Sequence, residues 1–266
     1  KGMSLSVLTP PDTQTNSSVC KMPWLGAWSA LLVVGAFYLT QTVGIFMVQM
    51  AAGLNVGFSN GSGEMAGLDQ AWLLPLSLLV GTIGAAMVSW QIATNRSKPS
   101  MNVDWFWGLL GRSFHFFSLW RFILLGLSLG LGFFVLTEYG VLPPDDLPQP
   151  IFDAMLASPH VLKVIWVLMF VVLFPVVEET LFRGFLFTGL SQSWGPSIAG
   201  VVTTLVFIVV HMPKILEYWP AFAAVTLLGT LTIFLRIYSG SLTPGIALHS
   251  TYNGTLVAVG FLTETT

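Results

Sequence analysis

Charged residues are scarce in this sequence. Asp, Glu, Lys and Arg make up 8% of the 266 residues, whereas roughly a quarter of a soluble domain is charged. Apolar residues make up 54%. A water-soluble fold does not cover its surface with so few charges, so we expect the chain to fold in a lipid bilayer. The same composition excludes an intrinsically disordered chain, a coiled coil and a collagen.

Cysteine and net positive charge are also lacking. The one cysteine, Cys20, excludes a disulfide framework within the chain and any cysteine-rich metal site. Ten basic residues against twelve acidic ones give a formal charge of −2, so no nucleic-acid partner is predicted. These absences leave a membrane enzyme, a transporter and a passive subunit open.

Long apolar runs recur along the chain. Residues 1–22 are polar and rich in Ser, Thr and Pro, which predicts a flexible tail. A membrane helix needs about 20 apolar residues, and seven runs of about that length or longer follow. They lie near 24–50, 71–93, 119–137, 161–190, 196–212, 219–238 and 243–263. We therefore predict an all-α, polytopic transmembrane bundle of seven to eight spans, with the N-terminal helices in residues 23–150.

Two features fall between or within these spans. Residues 104–117 alternate polar and apolar side chains at helical spacing, which is typical of an amphipathic helix in the membrane interface, or of a lead-in to the third span. Within that span, Gly126 and Gly130 form a small-xxx-small pair that favours close contact with another helix.

Loop charges predict the orientation in the membrane. The segments 54–70 and 138–160 contain acidic residues and no Lys or Arg. The basic residues that flank the connection between the second and third spans are Arg96, Lys98, Arg112 and Arg121. The positive-inside rule puts this connection in the cytoplasm, together with the N-terminal tail and its two lysines.

One group of charges lies inside an apolar run. Glu178, Glu179 and Arg183 interrupt an apolar stretch of about thirty residues, where each unpaired charge costs roughly 2.5 to 3.5 kcal/mol on the insertion scale. Glu179 and Arg183 are four residues apart with the acid first, the better order for a helical ion pair. Glu178 has no such local partner, which favours a role as general base over a purely structural one.

A histidine in the next span reaches the same depth. A turn at residues 193–196 joins the fourth and fifth spans, with Glu178 about fifteen residues before it and His211 about seventeen after it. The two arms of this antiparallel hairpin are nearly equal at 1.5 Å per residue, so Glu178 and His211 are predicted at similar depth.

The last span supplies two more polar residues on one helix face, His249 and Asn253. Their depth matches less well, and a short or tilted final helix would be needed. In one pocket, Glu178 and His211 would polarise a water while His249 and Asn253 would donate to the oxyanion formed by attack on an amide. Zinc held by two His and one Glu is the second reading, since the compact HExxH spacing is missing.

Three motifs in this order resemble the CAAX prenyl endopeptidase and bacteriocin-processing family of intramembrane glutamate-type proteases. They stand here as EETLFRG (178–184), FIVVH (207–211) and HSTYN (249–253). The resemblance covers about residues 160–260 and implies that 151–266 form the catalytic helical core, with a cavity that opens towards the cytoplasm.

The resemblance also implies roles for the six residues. Glu178 and His211 would activate water, His249 and Asn253 would form the oxyanion site, and Glu179 with Arg183 would support the geometry. It implies an integral protein of a bacterial inner membrane that contacts lipid and cleaves a peptide or protein, with or without an attached lipid, without a metal. The alternatives are a non-catalytic structural or assembly subunit of a larger membrane complex, with or without a pigment or another cofactor, and, last, a proton-coupled transporter.

Overall fold

The computed structural model describes residues 25–58, 70–96, 118–139, 150–215 and 218–264. The regular elements in these ranges are helices, as the all-α prediction requires. The predicted flexible tail 1–22 with Cys20 and the amphipathic segment 104–117 lie outside the described residues.

Eight helices follow one another in these ranges. They are α1 (Ala27–Phe58), α2 (Gln70–Arg96), α3 (Trp120–Tyr139), α4 (Pro150–Leu156), α5 (His160–Trp194), α6 (Pro196–Ile215), α7 (Trp219–Ser239) and α8 (Thr243–Glu264). All seven predicted spans coincide with one of the long helices.

Five of the described helices are long and apolar enough to cross a membrane, namely α1, α2, α3, α5 and α7. The apolar part of α6, Pro196–Met212, falls short in length, and α8 is interrupted by polar residues such as His249 and Asn253. The two helices that fall short are therefore ones that carry predicted site residues. The protein is a polytopic, integral membrane protein.

The bundle has two ends that the contacts define. At the Gly195 end, α1 begins, α5 turns into α6 and α7 turns into α8. The Ala27 amide there donates to Ser193 Oγ at 3.0 Å, and the two turns use positive φ at Gly195 and Gly240 (80° and 68°), a conformation that glycine adopts without strain.

At the Glu138 end, α3 and α8 finish and α5 begins. The Lys163 ammonium near the start of α5 lies 5.3 Å from the centre of the Phe261 ring near the end of α8. Glu138 is the second-last residue of α3. The two ends are therefore opposite faces of one bundle.

The predicted glycine contact in α3 is confirmed, and its partner is α8. A Cβ atom on Gly126 would lie 2.5 Å from the Leu248 carbonyl oxygen, and one on Gly130 would lie 2.6 Å from Thr255 Cβ. Because residue numbers rise together along this contact, the two helices run parallel. Glycine lets their backbones approach this closely.

Candidate active site

A cavity of about 640 Å³ lies in the middle of the bundle. All the long helices contribute to its lining, which is mostly apolar, and the volume is that of a typical ligand pocket. Four of the six predicted site residues line it, namely Glu178, His211, His249 and Asn253. Glu179 and Arg183 are buried behind that wall.

Glu178 lies between the two histidines. Its Oε2 atom is 3.9 Å from Nε2 of His211 and 3.9 Å from Nε2 of His249. These distances are too long for direct hydrogen bonds and allow a water molecule to bridge the groups. The Glu178 side chain is 24% exposed, so that water in the cavity reaches it.

Both histidines are oriented through their other ring nitrogen. Nδ1 of His211 lies 2.7 Å from the Phe207 carbonyl oxygen, which only accepts, so Nδ1 carries a proton. Nδ1 of His249 lies 3.0 Å from Glu179 Oε1. Each ring therefore turns its Nε2 atom towards Glu178, and a fixed Nδ1 contact of this kind sets which nitrogen is available.

Glu179 belongs to a set of contacts that joins α5 to α7 and α8. Its Oε1 atom also accepts from Arg183 Nη1 at 3.2 Å, as the four-residue spacing predicts, and Arg183 Nη2 donates to the Gly229 carbonyl of α7 at 2.9 Å. Arg183 is fully buried, and Glu179 is 1% exposed. The ion pair thus fixes α5 against α7 and, through His249, against α8.

Phe207 is the aromatic residue four positions before His211, and its contacts give it a structural role in the site. Its ring lies 4.4 Å from the Arg183 guanidinium carbon, a cation–π contact, and 4.5 Å from the His211 ring. A Cβ atom on Gly229 would lie 3.0 Å from Phe207 Cδ1. Phe207 is therefore held between the buried arginine, the histidine and α7.

Asn253 makes a contact that sequence reasoning missed. Its Nδ2 atom donates to the Phe170 carbonyl at 3.0 Å. Phe170 lies in a π-helical turn, Met169–Leu173, where the Phe174 amide bonds to the Met169 carbonyl instead. The next donor along the helix would be residue 175, which is proline and has no N–H. The Phe170 carbonyl is thus left for Asn253.

The depth mismatch of His249 is resolved by where α8 begins. Gly245, the third residue of α8, packs against Thr232, where a Cβ atom on the glycine would lie 3.6 Å from Thr232 Cβ. Thr232 lies seven residues before the end of α7. The helix α8 therefore begins well inside the bundle. This position brings His249 to the same depth in the bundle as Glu178.

Sequence reasoning also missed the contribution of α1 and α2. Tyr38, Gln41 and Thr82 line the cavity, and Gln41 Nε2 donates to Thr82 Oγ1 at 2.9 Å. The Tyr38 ring lies 6.4 Å from that of Phe182, next to Arg183. Polar side chains inside apolar runs were the signal that would have indicated them.

A metal site was the second reading for these residues. Among the residues that the structure describes, no group of three or more His, Cys, Asp or Glu side chains has a spacing that would hold a metal ion.

The comparison with protein families agrees with the motifs. Residues 160–255, just over a third of the chain, match the family model described as type II CAAX prenyl endopeptidase Rce1-like. The resemblance predicted from the three motifs is thereby confirmed over the segment that holds all six site residues. No curated protein and no solved structure gives a significant match.

Proposed function

From the match of residues 160–255 to a CAAX endopeptidase family, we propose that the protein is an intramembrane endopeptidase that hydrolyses a peptide bond with an activated water. One observation carries the proposal: Glu178 Oε2 lies 3.9 Å from both histidine Nε2 atoms at the wall of a large cavity. A carboxylate and an imidazole at this separation hold a water between them.

In the proposed reaction, the water occupies the space between Glu178 and His211. Glu178 takes a proton as the water oxygen forms a bond to the carbonyl carbon of the substrate, which leaves a tetrahedral oxyanion. Collapse of this intermediate breaks the C–N bond, and Glu178 returns the proton to the leaving amine. A positioned base of this kind contributes about 10²- to 10⁴-fold.

His249 and Asn253 are proposed to stabilise the oxyanion. Asn253 Nδ2 uses one hydrogen on the Phe170 carbonyl and has a second one to donate. His249 keeps Nδ1 on Glu179 Oε1 and is proposed to donate to the oxyanion from Nε2. Loss of one such donor typically costs about 10²- to 10³-fold.

Glu179 and Arg183 are proposed as positioning residues. They lie behind the cavity wall and contact His249 and α7, so they act on the reaction through His249. A carboxylate that orients a histidine in this way also stabilises its protonated form.

The proposed mechanism needs no metal, and zinc bound by Glu178, His211 and His249 is the alternative. The two mechanisms differ in their response to a chelator.

We propose further that the protein lies in a bacterial inner membrane with its N-terminus in the cytoplasm, and that it acts on a peptide or protein, with or without an attached lipid.

A non-catalytic subunit of a larger membrane complex is the other function class. Its motivation was the extensive apolar surface. Side chains such as Trp28, 83% exposed, and Leu39, 68% exposed, are what a lipid-facing surface requires, so they do not favour a subunit over an enzyme.

The test compares Glu178→Gln with Asp153→Asn, the same change of carboxylate to amide at an exposed residue of α4 that does not line the cavity. We expect the first variant to lower the rate at least about 10²-fold because it removes the base, and the second to lose no more than a few-fold. The measurement is the appearance of new peptide termini in membranes that contain each variant, with and without 1,10-phenanthroline.

The outcomes separate the candidates. Cleavage that depends on Glu178 and persists with the chelator supports the proposed mechanism. Loss on chelation with recovery on added zinc supports the metal reading. Equal cleavage by wild type and Glu178→Gln contradicts the enzyme, and copurification of the inactive protein in a stable complex supports the subunit.

A further inference from the structure

Within the described part of the chain, the lining of the cavity extends from the candidate site towards one end of the bundle. Its inner wall carries Glu178 and His249, and its lining continues to Glu138 and Thr263, near the ends of α3 and α8. These last two residues are exposed. The cavity therefore runs from the middle of the bundle to the Glu138 end.

Side chains fill the space between the site and the Gly195 end. The ten residues 181–190 of α5 are all buried, and Phe182, Leu186 and Leu190 are fully so. At Gly189 the first residues of α1 approach so closely that a Cβ atom would lie 2.5 Å from Ala30 Cβ. The packed core of α1, α5 and α6 therefore separates the site from this end.

The two ends also differ in the charges that the sequence assigns to them. Seven of the ten Lys and Arg residues precede α1 or lie at or between helix termini of the Gly195 end. They are Lys1, Lys21, Arg96, Lys98, Arg112, Arg121 and Arg236. Lys163 and Lys214 belong to the Glu138 end, and Arg183 is buried.

Acidic residues show the opposite distribution. Eight of the twelve Asp and Glu residues belong to the helix termini and connections of the Glu138 end. They are Glu64, Asp69, Glu138, Asp145, Asp146, Asp153, Glu217 and Glu264. Because positive residues are favoured in the cytoplasm, these charges assign the Gly195 end to the cytoplasmic side.

Two expectations drawn from the sequence are thus incompatible. The charges put the N-terminus in the cytoplasm, whereas the family resemblance implies a cavity that opens to the cytoplasm. In this fold the start of α1 and the open side of the cavity lie at opposite ends. The charge distribution comes from this chain's own residues and decides between them.

We propose that the site is entered from the non-cytoplasmic side of the membrane, so that its substrates are apolar peptide segments exposed on that side. The substrate part of this inference rests on the proposed peptidase function. Phe133, Phe134, Phe170 and Phe174 form much of the wall between the opening and the site, and such aromatic walls bind apolar side chains.

Cysteine labelling in intact bacterial cells tests the direction of access. Cys20→Ser removes the one native cysteine, and single cysteines are then placed at three positions. Thr137→Cys reports on the cavity, Ala157→Cys on the Glu138 end outside the cavity, and Trp194→Cys on the Gly195 end. The probe is a membrane-impermeant maleimide, applied before and after permeabilisation.

We expect the cysteines at positions 137 and 157 to react in intact cells, and the one at 194 to react at least tenfold more after permeabilisation. Reaction at 157 only after permeabilisation would overturn the orientation. Reaction at 157 without reaction at 137 would overturn the opening of the cavity at this end.

Labelling needs no peptidase activity, so it is independent of the proposed function. An inactive protein that labels as expected would overturn hydrolysis and keep the direction of access. A protein whose cleavage depends on Glu178 but whose labelling is reversed would keep hydrolysis and overturn the direction.

Discussion

Glu178 and Glu179 are neighbours in sequence and face different surroundings. Consecutive residues of a helix point about 100° apart, so Glu178 faces the cavity with 24% of its side chain exposed, while Glu179 is 1% exposed and contacts Arg183 and His249. One carboxylate is therefore available to water, and the other holds the histidine that the first one faces.

The second oxygen of Glu179 depends on a glycine. Its Oε2 atom is buried and accepts no hydrogen bond from the described part of the protein, and a Cβ atom on Gly245 would lie 3.1 Å from it. Since Arg183 and His249 fix the other oxygen, the carboxylate has little freedom to move away.

We therefore expect Gly245→Ala to disturb His249 and lower the rate of cleavage at least about tenfold, because small misplacements in an active site are costly. Gly254→Ala is the matched control on the same helix, where the new Cβ atom would lie 3.5 Å from Val171. Both variants gain the same helix propensity, about 1 kcal/mol. Equal rates in the two variants would contradict the crowding of Glu179.

At the scale of single residues, the contacts that can be predicted from the sequence are those between residues close together in the chain. The contact of Glu179 with Arg183 follows from four-residue spacing within one helix. The contact of Glu179 with His249 joins residues 70 positions apart, and no periodicity encodes which glutamate meets which histidine. The roles of Glu178, His211, His249 and Asn253 stay predictions until activity is measured.

The helix α5 positions the site through two departures from α-helical geometry. The π-helical turns Met169–Leu173 and Thr180–Leu186 flank the α-helical segment Phe174–Glu179, which carries both glutamates. Single π turns occur frequently at functional sites. Pro175 was visible in the sequence, but its effect, a Phe170 carbonyl left for Asn253, depends on the hydrogen-bond pattern of the folded helix.

The contact between α3 and α8 determines where His249 and Asn253 lie relative to the other helices. At Gly130 a Cβ atom would lie 2.6 Å from Thr255 Cβ, whereas at Gly132 it would meet nothing within 4 Å. We expect Gly130→Ala to destabilise the protein by about 1 to 3 kcal/mol, as overpacking does. Thermal unfolding in detergent measures the change.

Gly132→Ala is the control for this pair, because it adds the same methyl group on the same helix. Its expected effect is a stabilisation of up to about 1 kcal/mol, the gain in helix propensity that any Gly→Ala change in a helix brings. If both variants unfold at the same temperature, the close approach of α3 to α8 does not contribute to stability as described.

The whole molecule contributes more to the cavity than the matched family segment does. Residues 160–255 hold the six site residues, yet α1, α2 and α3 supply part of the wall, including Phe37, Thr82 and Phe133. The sequence predicted that these helices exist, because apolar runs of about 20 residues indicate spans. Their packing order around the site was not predictable, since lipid-facing and protein-facing apolar surfaces have similar composition.

One side chain links much of this assembly. Arg183 of α5 bonds to the Gly229 carbonyl of α7 and stacks on Phe207 of α6, while its partner Glu179 holds α8. We expect Arg183→Ala to lower the free energy of unfolding by about 3 to 5 kcal/mol, because it leaves Glu179 buried without its cation.

Arg121→Ala, at an exposed arginine near the start of α3, serves as the comparison in the same unfolding measurement. Its effect is expected to lie within about 0.5 kcal/mol. Similar unfolding temperatures for the two variants would show that the buried pair is not needed for global stability.

The length of α5 has a consequence for the surrounding lipid. His160–Trp194 comprises 35 residues, or about 50 Å of helix, against a hydrocarbon core of about 30 Å. Such hydrophobic mismatch is accommodated by helix tilt or by local thickening of the bilayer, at a cost of fractions of a kcal/mol per ångström. Acyl-chain length therefore acts on the tilt of the helix that carries Glu178, which makes membrane thickness a physical variable for this protein.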